Sequence, residues 1–210
     1  MLNDHPDVAS IETICRAHAP FGTTALLPTL ITDTPAITAA AVAAGAQAAR
    51  KKVPGFLGLH LEGPHLSIAR KGAHDPALIR PMTDADQAAL IAACKNLPVL
   101  LTTIAPESVE PARVAALAKA GIVVSLGHSD TGYATAKAFA EAGASVVTHL
   151  FNAMLPQRPY IPTGTLRRVV AYPAAADKWT IKQIKAALDK VGLGYLTDRI
   201  GEDLPWRGAL

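Results

Sequence analysis

Hydrophobic and polar positions follow two different periods along the first three quarters of the chain. Some segments place apolar residues every three or four positions, as amphipathic helices do, and shorter apolar runs between them are typical of strands. Strands alternating with helices at short spacing predict right-handed βαβ units and a parallel sheet. Five strands are predicted, at 22–29, 55–62, 99–104, 122–126 and 145–148, with helices at 8–19, 36–52, 84–96, 109–120 and 131–142.

The second of these strands ends in the run Gly58-Leu-His-Leu-Glu-Gly-Pro64. Since side chains in a strand alternate between faces, His60 and Glu62 point to one side and the leucines to the other. Gly63-Pro64 then ends the strand. In a parallel α/β fold, the carboxyl end of a strand is the usual place for catalytic or ligand-binding residues. This run is therefore the first candidate for a functional site.

The regular pattern stops near Gln157, and the residues after it have a different composition. Residues 158–210 contain both tryptophans, none of the histidines, and nine basic against five acidic residues. One amphipathic helix is predicted there, at 181–191, and the rest is irregular. The sequence thus predicts a first domain with a parallel sheet at 1–157 and a separate, mostly irregular or helical tail at 158–210.

The overall composition is that of a globular protein, with 50% hydrophobic and 18% charged residues. A net charge of +3 is too small to favour nucleic acid as a partner. The two cysteines, Cys15 and Cys94, are typical of reduced thiols rather than of a disulfide framework. The amino terminus lacks a signal-peptide pattern and no apolar run reaches membrane-spanning length. We therefore expect a cytoplasmic protein with neither a membrane nor a nucleic-acid partner.

Three predicted strands end in side chains that bind metals, namely Glu62, His128 and His149. A sheet curled into a barrel brings such strand ends together around one point. One carboxylate and two imidazoles form a plausible catalytic zinc or iron site. A single histidine at a strand end is more often a hydrogen-bonded structural residue, which is the interpretation we adopt for His60. The equivalent positions of the other three favour a divalent metal site.

Several motifs, in order between about Leu2 and Met154, carry a family resemblance. The chain resembles the N-acetylglucosamine-6-phosphate deacetylases of the amidohydrolase superfamily in the segments FGTTALLPTLITDT, GLHLEGPHLS, KGAHDPALIR, TTIAPE, VSLGHSD and THLFNAM. That resemblance implies a (β/α)₈ barrel, of which this chain holds about five strands as a partial TIM-type barrel. It also implies metal-dependent removal of acetate from N-acetylglucosamine 6-phosphate, which gives glucosamine 6-phosphate. Relatives of this type are expected to form homo-oligomers.

The same resemblance implies roles for individual residues. Glu62, His128 and His149 correspond to the metal ligands, and Ala73 and His74 to residues that meet the sugar and its amide carbonyl. Asn152 and Ala153 correspond to residues that hold the amino-sugar phosphate near its phosphate group. From the residues alone, Asn152 could instead be only a loop cap, and Asp130 could simply cap the helix after His128.

Parts of the family pattern are not recognisable in this sequence. They are the first barrel strand, a phosphate-binding arginine, a later histidine-bearing strand and the aspartate that shuttles the proton, so no catalytic base is identified. We expect a chain truncated at both ends, with an unrelated tail after about Gln157. Two interpretations remain open at this point, an active deacetylase and a catalytically dead remnant that still binds metal.

Overall fold

The computed structural model describes residues 2–150, 164–171, 175–190 and 192–202. The chain divides into two compact units, Met1–Gln157 and Arg158–Leu210. In the first unit the strands are β1 (Thr29–Ile31), β2 (Leu59–Glu62), β3 (Leu100–Ile104), β4 (Val123–Leu126) and β5 (Val146–Val147). Its helices are α1 (Val8–His18), α2 (Pro35–Lys51), α3 (Asp84–Cys94), α4 (Pro111–Lys119) and α5 (Tyr133–Glu141).

The five strands form one sheet in the order β1-β2-β3-β4-β5, and every neighbouring pair is parallel. Glu62 is in register with Ile31 on one side and with Thr103 on the other. Because all strands run the same way, their carboxyl ends meet at one edge of the sheet. The first unit is therefore the α/β fold with five parallel strands of a TIM-type barrel that the sequence predicts.

Local sequence explains where the helices of this unit begin. Asp7 and Thr34 each accept a hydrogen bond from a backbone N–H in the first turn of α1 and α2. Thr83 and Asp86 form a reciprocal capping box at the start of α3. The core lies between the sheet and these helices, and its fully buried side chains include Ile11, Ala41, Leu59, Leu100, Val114, Leu117 and Val124.

The predicted first strand at 22–29 is wrong in its bounds, because β1 begins only at Thr29. Pro28 has no N–H to donate to a ladder, and its carbonyl instead accepts the N–H of His60. Before it, the chain makes only one isolated bridge, between Leu26 and Phe56. The predicted strand at 55–62 is also too long, because β2 begins only at Leu59. Gly58, just before it, has a φ of 151°, and its backbone packs closely against the backbone of Val99.

The second unit has a small core of its own. Two helices are described, α6 (Leu166–Ala171) and α7 (Ile181–Lys190), and 3₁₀ turns accompany them at Ala176–Lys178 and Gly194–Arg199. Helix α7 matches the predicted amphipathic helix, whereas α6 is too short to show a clear period in the sequence. Buried side chains from both helices and the last turn form the core: Leu166, Ala171, Ile184, Leu188, Leu196 and Ile200. Within the described ranges, no helix combines the length and apolarity that crossing a membrane requires.

Candidate metal centre

The carboxylate of Glu62 lies between imidazoles that arrive from distant parts of the sequence. Glu62 is the last residue of β2, while His128 and His149 follow β4 and β5. Nε2 of His128 is 3.2 Å from Oε1 of Glu62, and Nε2 of His149 is 3.0 Å from the same oxygen. A third imidazole, that of His74, places its Nε2 3.7 Å from Oε2. The predicted strand-end residues are therefore brought together, and His74 joins them.

Two of these histidines occupy an unusual backbone conformation. His128 has a φ of 49° and His149 a φ of 58°, in the left-handed region that residues with a Cβ seldom adopt. Each of the two residues lies two positions after the end of a strand. The two rings meet nearly at right angles, with centroids 4.8 Å apart.

The hydrogen bonds of His128 determine which nitrogen of its ring is available. Its Nδ1 lies 2.8 Å from the carbonyl oxygen of Arg70, which can only accept a hydrogen bond. Nδ1 therefore carries the proton, and in the neutral ring Nε2 presents a lone pair toward Glu62. A carbonyl that fixes the tautomer in this way is a common partner of histidines that bind metals.

His74 has the opposite arrangement. The backbone N–H of Thr32, which can only donate, points at Nδ1 of His74 from 3.3 Å, and the Thr32 hydroxyl lies 2.7 Å from the same atom. Nδ1 is therefore the acceptor in the neutral ring, and Nε2 carries the proton. Although His74 is close enough to be grouped with Glu62 and His128 as a possible ligand, its tautomer makes it a hydrogen-bond donor in this site. Gly63 permits this contact, because a Cβ there would lie 2.1 Å from the Thr32 hydroxyl.

Glu62 and His128 each favour the charged form of the other. Burial alone raises the pKa of Glu62, but the imidazoles of His128 and His74 outweigh it and hold that pKa well below its usual range. Burial alone lowers the pKa of His128, but its bonds to Glu62 and to the Arg70 carbonyl outweigh this effect, and the pKa is raised. Glu62 is therefore ionised at neutral pH, and a proton or a metal ion can lie between its oxygen and His128.

The donor set and its spacing fit a divalent metal. Two ligand atoms that bind one zinc ion in tetrahedral geometry are about 3.3 Å apart. The separations of 3.2 and 3.0 Å between Oε1 of Glu62 and the two histidine nitrogens are close to that value. One ligand atom each from Glu62, His74 and His128 also lies within 4.8 Å of the other two. Carboxylate and imidazole together suit zinc or iron.

Comparisons with known proteins show which families share this sequence and fold. No protein-family model matches the chain. The N-acetylgalactosamine-6-phosphate deacetylase of Shewanella sp. (strain ANA-3) is 44% identical over 154 residues, which cover 73% of this chain and 39% of the relative. The crystal structure of N-acetylglucosamine-6-phosphate deacetylase from Pasteurella multocida superposes with a TM-score of 0.70 at 34% identity, covering 74% of this chain and 41% of that one.

The chain is related to the N-acetylglucosamine-6-phosphate deacetylases. A further relative of that name, from Haemophilus influenzae, is 38% identical over 205 residues, which cover 97% of this chain and 51% of the relative. The chain thus spans between 39% and 51% of the length of these two curated relatives. Since the Haemophilus alignment covers 97% of the chain, it includes most of residues 158–210. The unrelated origin predicted for the tail stays a prediction.

The contacts of His60, beside the Glu62 cluster, confirm its interpretation as a hydrogen-bonded residue. Its Nδ1 lies 3.0 Å from the Thr29 hydroxyl and its Nε2 lies 2.7 Å from the Thr103 hydroxyl. Thr103 contacts Thr148, which in turn lies 2.6 Å from the Ser125 hydroxyl. Burial lowers the pKa of His60 and so favours its neutral form. The contacts of His60 and these hydroxyls thus form a polar row that crosses the sheet from β1 toward β5.

Not every predicted residue of the deacetylase pattern lies in the cluster. Ala73 is exposed beside the buried His74, whereas Asn152 and Ala153 lie outside the described residues. The prediction that Asp130 caps the next helix is wrong, because the cap of α5 is Gly132. Asp130 instead accepts hydrogen bonds from the Arg70 guanidinium, since that side chain reaches it across the loop.

A cavity of about 590 Å³ lies elsewhere, between α2 and α3. Leu61 lines it, and because neighbouring strand residues face opposite ways, this cavity and Glu62 are on opposite faces of β2. His65 also lines it, buried and with Nδ1 3.0 Å from the Arg80 carbonyl. The cavity walls are mainly alanines and other apolar side chains, so it does not extend the histidine cluster.

Three contributors to the centre were not predicted from the sequence. They are Thr32, which orients His74, the carbonyl of Arg70, which orients His128, and Glu107, which accepts hydrogen bonds from the residues after His128. Glu107 carried a usable signal, since it is an acidic residue three positions after the end of β3. The contact of Arg70 is made by its carbonyl oxygen, which every residue type possesses, and a lone threonine such as Thr32 is too common to indicate a partner 42 positions away.

Proposed function

We propose that the first unit binds a divalent metal ion through Glu62, His128 and His149 and hydrolyses the acetamido group of an N-acetylated amino-sugar 6-phosphate. The convergence of two Nε2 atoms on Oε1 of Glu62 is the observation that carries this proposal. The relatives that share this part of the sequence are named as deacetylases of such sugars.

The residues of the cluster divide the work by their hydrogen-bonding state. When bound, a divalent metal supplies Lewis acidity, which activates water and polarises a carbonyl oxygen. Glu62, His128 and His149 would hold the ion, and the Glu62 carboxylate would supply one negative charge. His74 donates from Nε2, which suits it to bind the carbonyl oxygen of the acetamido group as negative charge develops there. Ala73, next to His74 in an exposed loop, adds a backbone surface for the sugar.

The sugar itself is proposed as a class. One close relative is named for the galactosamine epimer and another for the glucosamine epimer. Both carry a 6-phosphate and an N-acetyl group, and these are the groups that the proposal requires. N-acetylglucosamine 6-phosphate is the substrate we favour, because most of the named relatives act on it by name.

A second candidate is a chain that binds metal without turnover. Within the described residues, the imidazoles of the cluster face one carboxylate, that of Glu62. Since Glu62 is assigned to the metal, this cluster has no further carboxylate to act as general base. Loss of general acid–base help typically lowers the rate by roughly 10²–10⁴.

Two measurements on the full chain separate these candidates. Metal analysis after dialysis should find zinc or iron in the wild type and little in His128→Ala, and equal metal content in both would remove the proposed site. Acetate release is then measured with N-acetylglucosamine 6-phosphate and with its galacto epimer. Metal-dependent release supports the deacetylase, whereas bound metal without release of acetate supports the second candidate. His18→Ala, an exposed histidine on α1, serves as the matched control.

A further inference from the structure

Arg70 contacts the segment 128–130 in two places. Its carbonyl oxygen lies 2.8 Å from Nδ1 of His128, and its guanidinium Nε and Nη2 lie 2.8 and 2.5 Å from Oδ1 of Asp130. Arg70 is the last residue of a 3₁₀ turn in the loop between β2 and α3. The side-chain ion pair therefore closes a ring that also contains the backbone contact to His128.

A second carboxylate holds the same segment from the loop after β3. Oε1 of Glu107 accepts the backbone N–H of Asp130 at 2.6 Å, and Oε2 accepts the hydroxyl of Ser129 at 2.8 Å. The N–H of Ser67 donates to the carbonyl of His128 at 2.9 Å. Ser129 is fully buried, so this turn has little room to relax.

These contacts answer a requirement of the backbone. His128 has a φ of 49°, a conformation that the isolated chain disfavours for a residue with a Cβ. Such a conformation persists where the surrounding structure over-determines it. Two other loops form hydrogen bonds with the segment 128–130. These bonds fix the position of the His128 imidazole, and the bond at Nδ1 fixes the tautomer that directs Nε2 toward Glu62.

We propose that Arg70, Glu107 and Asp130 form a loop clamp whose function is to position His128 for metal binding. This inference rests on the proposed function, because it requires that His128 bind the ion. The guanidinium of Arg70 holds Asp130, and that pairing keeps the carbonyl of Arg70 against Nδ1 of His128. Arg70 and Asp130 are therefore positioning residues, although neither touches Glu62.

An ordinary surface ion pair is the competing interpretation. The side chain of Asp130 is 51% exposed, and exposed ion pairs contribute little to folding stability. The two interpretations differ in what they predict for the metal. A surface pair leaves metal affinity unchanged, whereas loss of a group that orients a ligand histidine typically weakens metal binding by roughly 10–100-fold.

The test is titration of the full chain with Zn²⁺ and Co²⁺, and the visible absorption of bound Co²⁺ reports the ligand geometry. We expect Arg70→Ala and Glu107→Ala each to weaken binding by roughly 10–100-fold and to alter the Co²⁺ spectrum. Arg70→Lys should recover part of the affinity, because an ammonium can still pair with Asp130. Lys71→Ala is the matched control, since Lys71 is the adjacent cation and its amine donates to the carbonyl of Gly72.

A double substitution tests whether the two side chains act as one unit. If they do, Arg70→Ala with Asp130→Ala weakens binding no more than either change alone. If the double variant loses affinity by the product of the two single losses, the inference is overturned. It is also overturned if Arg70→Ala has the same metal affinity and Co²⁺ spectrum as Lys71→Ala. Circular dichroism checks folding, and if Arg70→Ala does not fold, Asp130→Asn replaces it with the same expected direction.

The outcome also separates this inference from the function on which it rests. If the wild-type chain binds neither Zn²⁺ nor Co²⁺, the proposed function is overturned and the clamp with it. If the wild type binds metal and the clamp variants bind it equally well, the clamp alone is overturned.

Discussion

Nε2 of His149 lies 3.0 Å from Oε1 of Glu62, although the two residues are 87 positions apart in the sequence. Parallel pairing produces this contact, because the carboxyl ends of β2 and β5 lie at the same edge of one sheet. His128, which follows β4, approaches the same oxygen. The contact therefore depends on the arrangement of all the strands from β2 to β5. Substitution of single residues can test the properties of the centre.

Replacing Glu62 by glutamine tests the charge at the centre. The substitution keeps the size of the side chain but removes the anion that faces His128 and His149. We expect metal affinity to fall by more than the roughly 10–100-fold that loss of a supporting hydrogen bond costs. Metal titration measures it, with Glu12→Gln on the exposed face of α1 as the control. Equal affinities in the two variants would contradict the assignment of Glu62.

Replacing His74 by asparagine tests the tautomer argument. Since Nδ1 of His74 accepts the Thr32 N–H, the ring is expected to donate to the substrate rather than to bind the ion. Metal content should stay within about twofold of the wild type, while acetate release falls by roughly 10²–10³-fold. A loss of metal as complete as that of His128→Ala would make His74 a ligand, and this comparison holds whether or not the wild type turns over.

Metal binding should also stabilise the first unit. An ion that binds the folded chain alone adds about 2.7 kcal/mol of unfolding free energy at a free concentration 100 times its Kd. Differential scanning calorimetry should therefore show a higher Tm with Zn²⁺, and chelation should reverse the rise. The same rise in His128→Ala would show that zinc acts elsewhere on the chain.

The loop that carries His74 is anchored at its far end by an ion pair. Asp86 accepts hydrogen bonds from both terminal nitrogens of the Arg80 guanidinium, at 2.5 and 2.6 Å, and from the N–H of Thr83. The Arg80 guanidinium holds the pKa of Asp86 well below its usual range. A lowered folded-state pKa stabilises the fold above the unfolded-state pKa of about 3.9, and this stabilisation is lost as the pH falls through the folded-state value.

Asp86→Asn should therefore lower the unfolding free energy by about 1–2 kcal/mol at pH 7. The difference from the wild type should shrink as the pH falls below about 4, since the wild-type carboxylate then loses its advantage. Urea unfolding at several pH values measures both effects. Asp84→Asn is the control, because the Asp84 side chain is 97% exposed and its ion pair with Arg113 contributes little. A difference for Asp86→Asn that does not depend on pH would contradict the charge argument.

The sequence predicts the outline of the centre because strand ends are visible as apolar runs that stop at polar residues. Glu62, His128 and His149 each follow such a run, and a parallel sheet brings equivalent ends together. The bounds of β1 were misplaced, because apolar residues before Pro28 look like a strand even though proline limits the ladder. The contact between His74 and Thr32 could not be predicted, since it depends on where a long loop folds back.

The polar row through His60 makes metal binding at the centre depend on strand register. His60 reaches Thr29 on one neighbouring strand and Thr103 on the other, and Thr148 and Ser125 continue the contacts toward β5. A slip of one residue turns every side chain of a strand to the other face. A strand in the wrong register would therefore lose its contact in this polar row and displace the proposed ligand at its end. Metal uptake would then count the correctly paired molecules in a preparation, which total secondary structure cannot do.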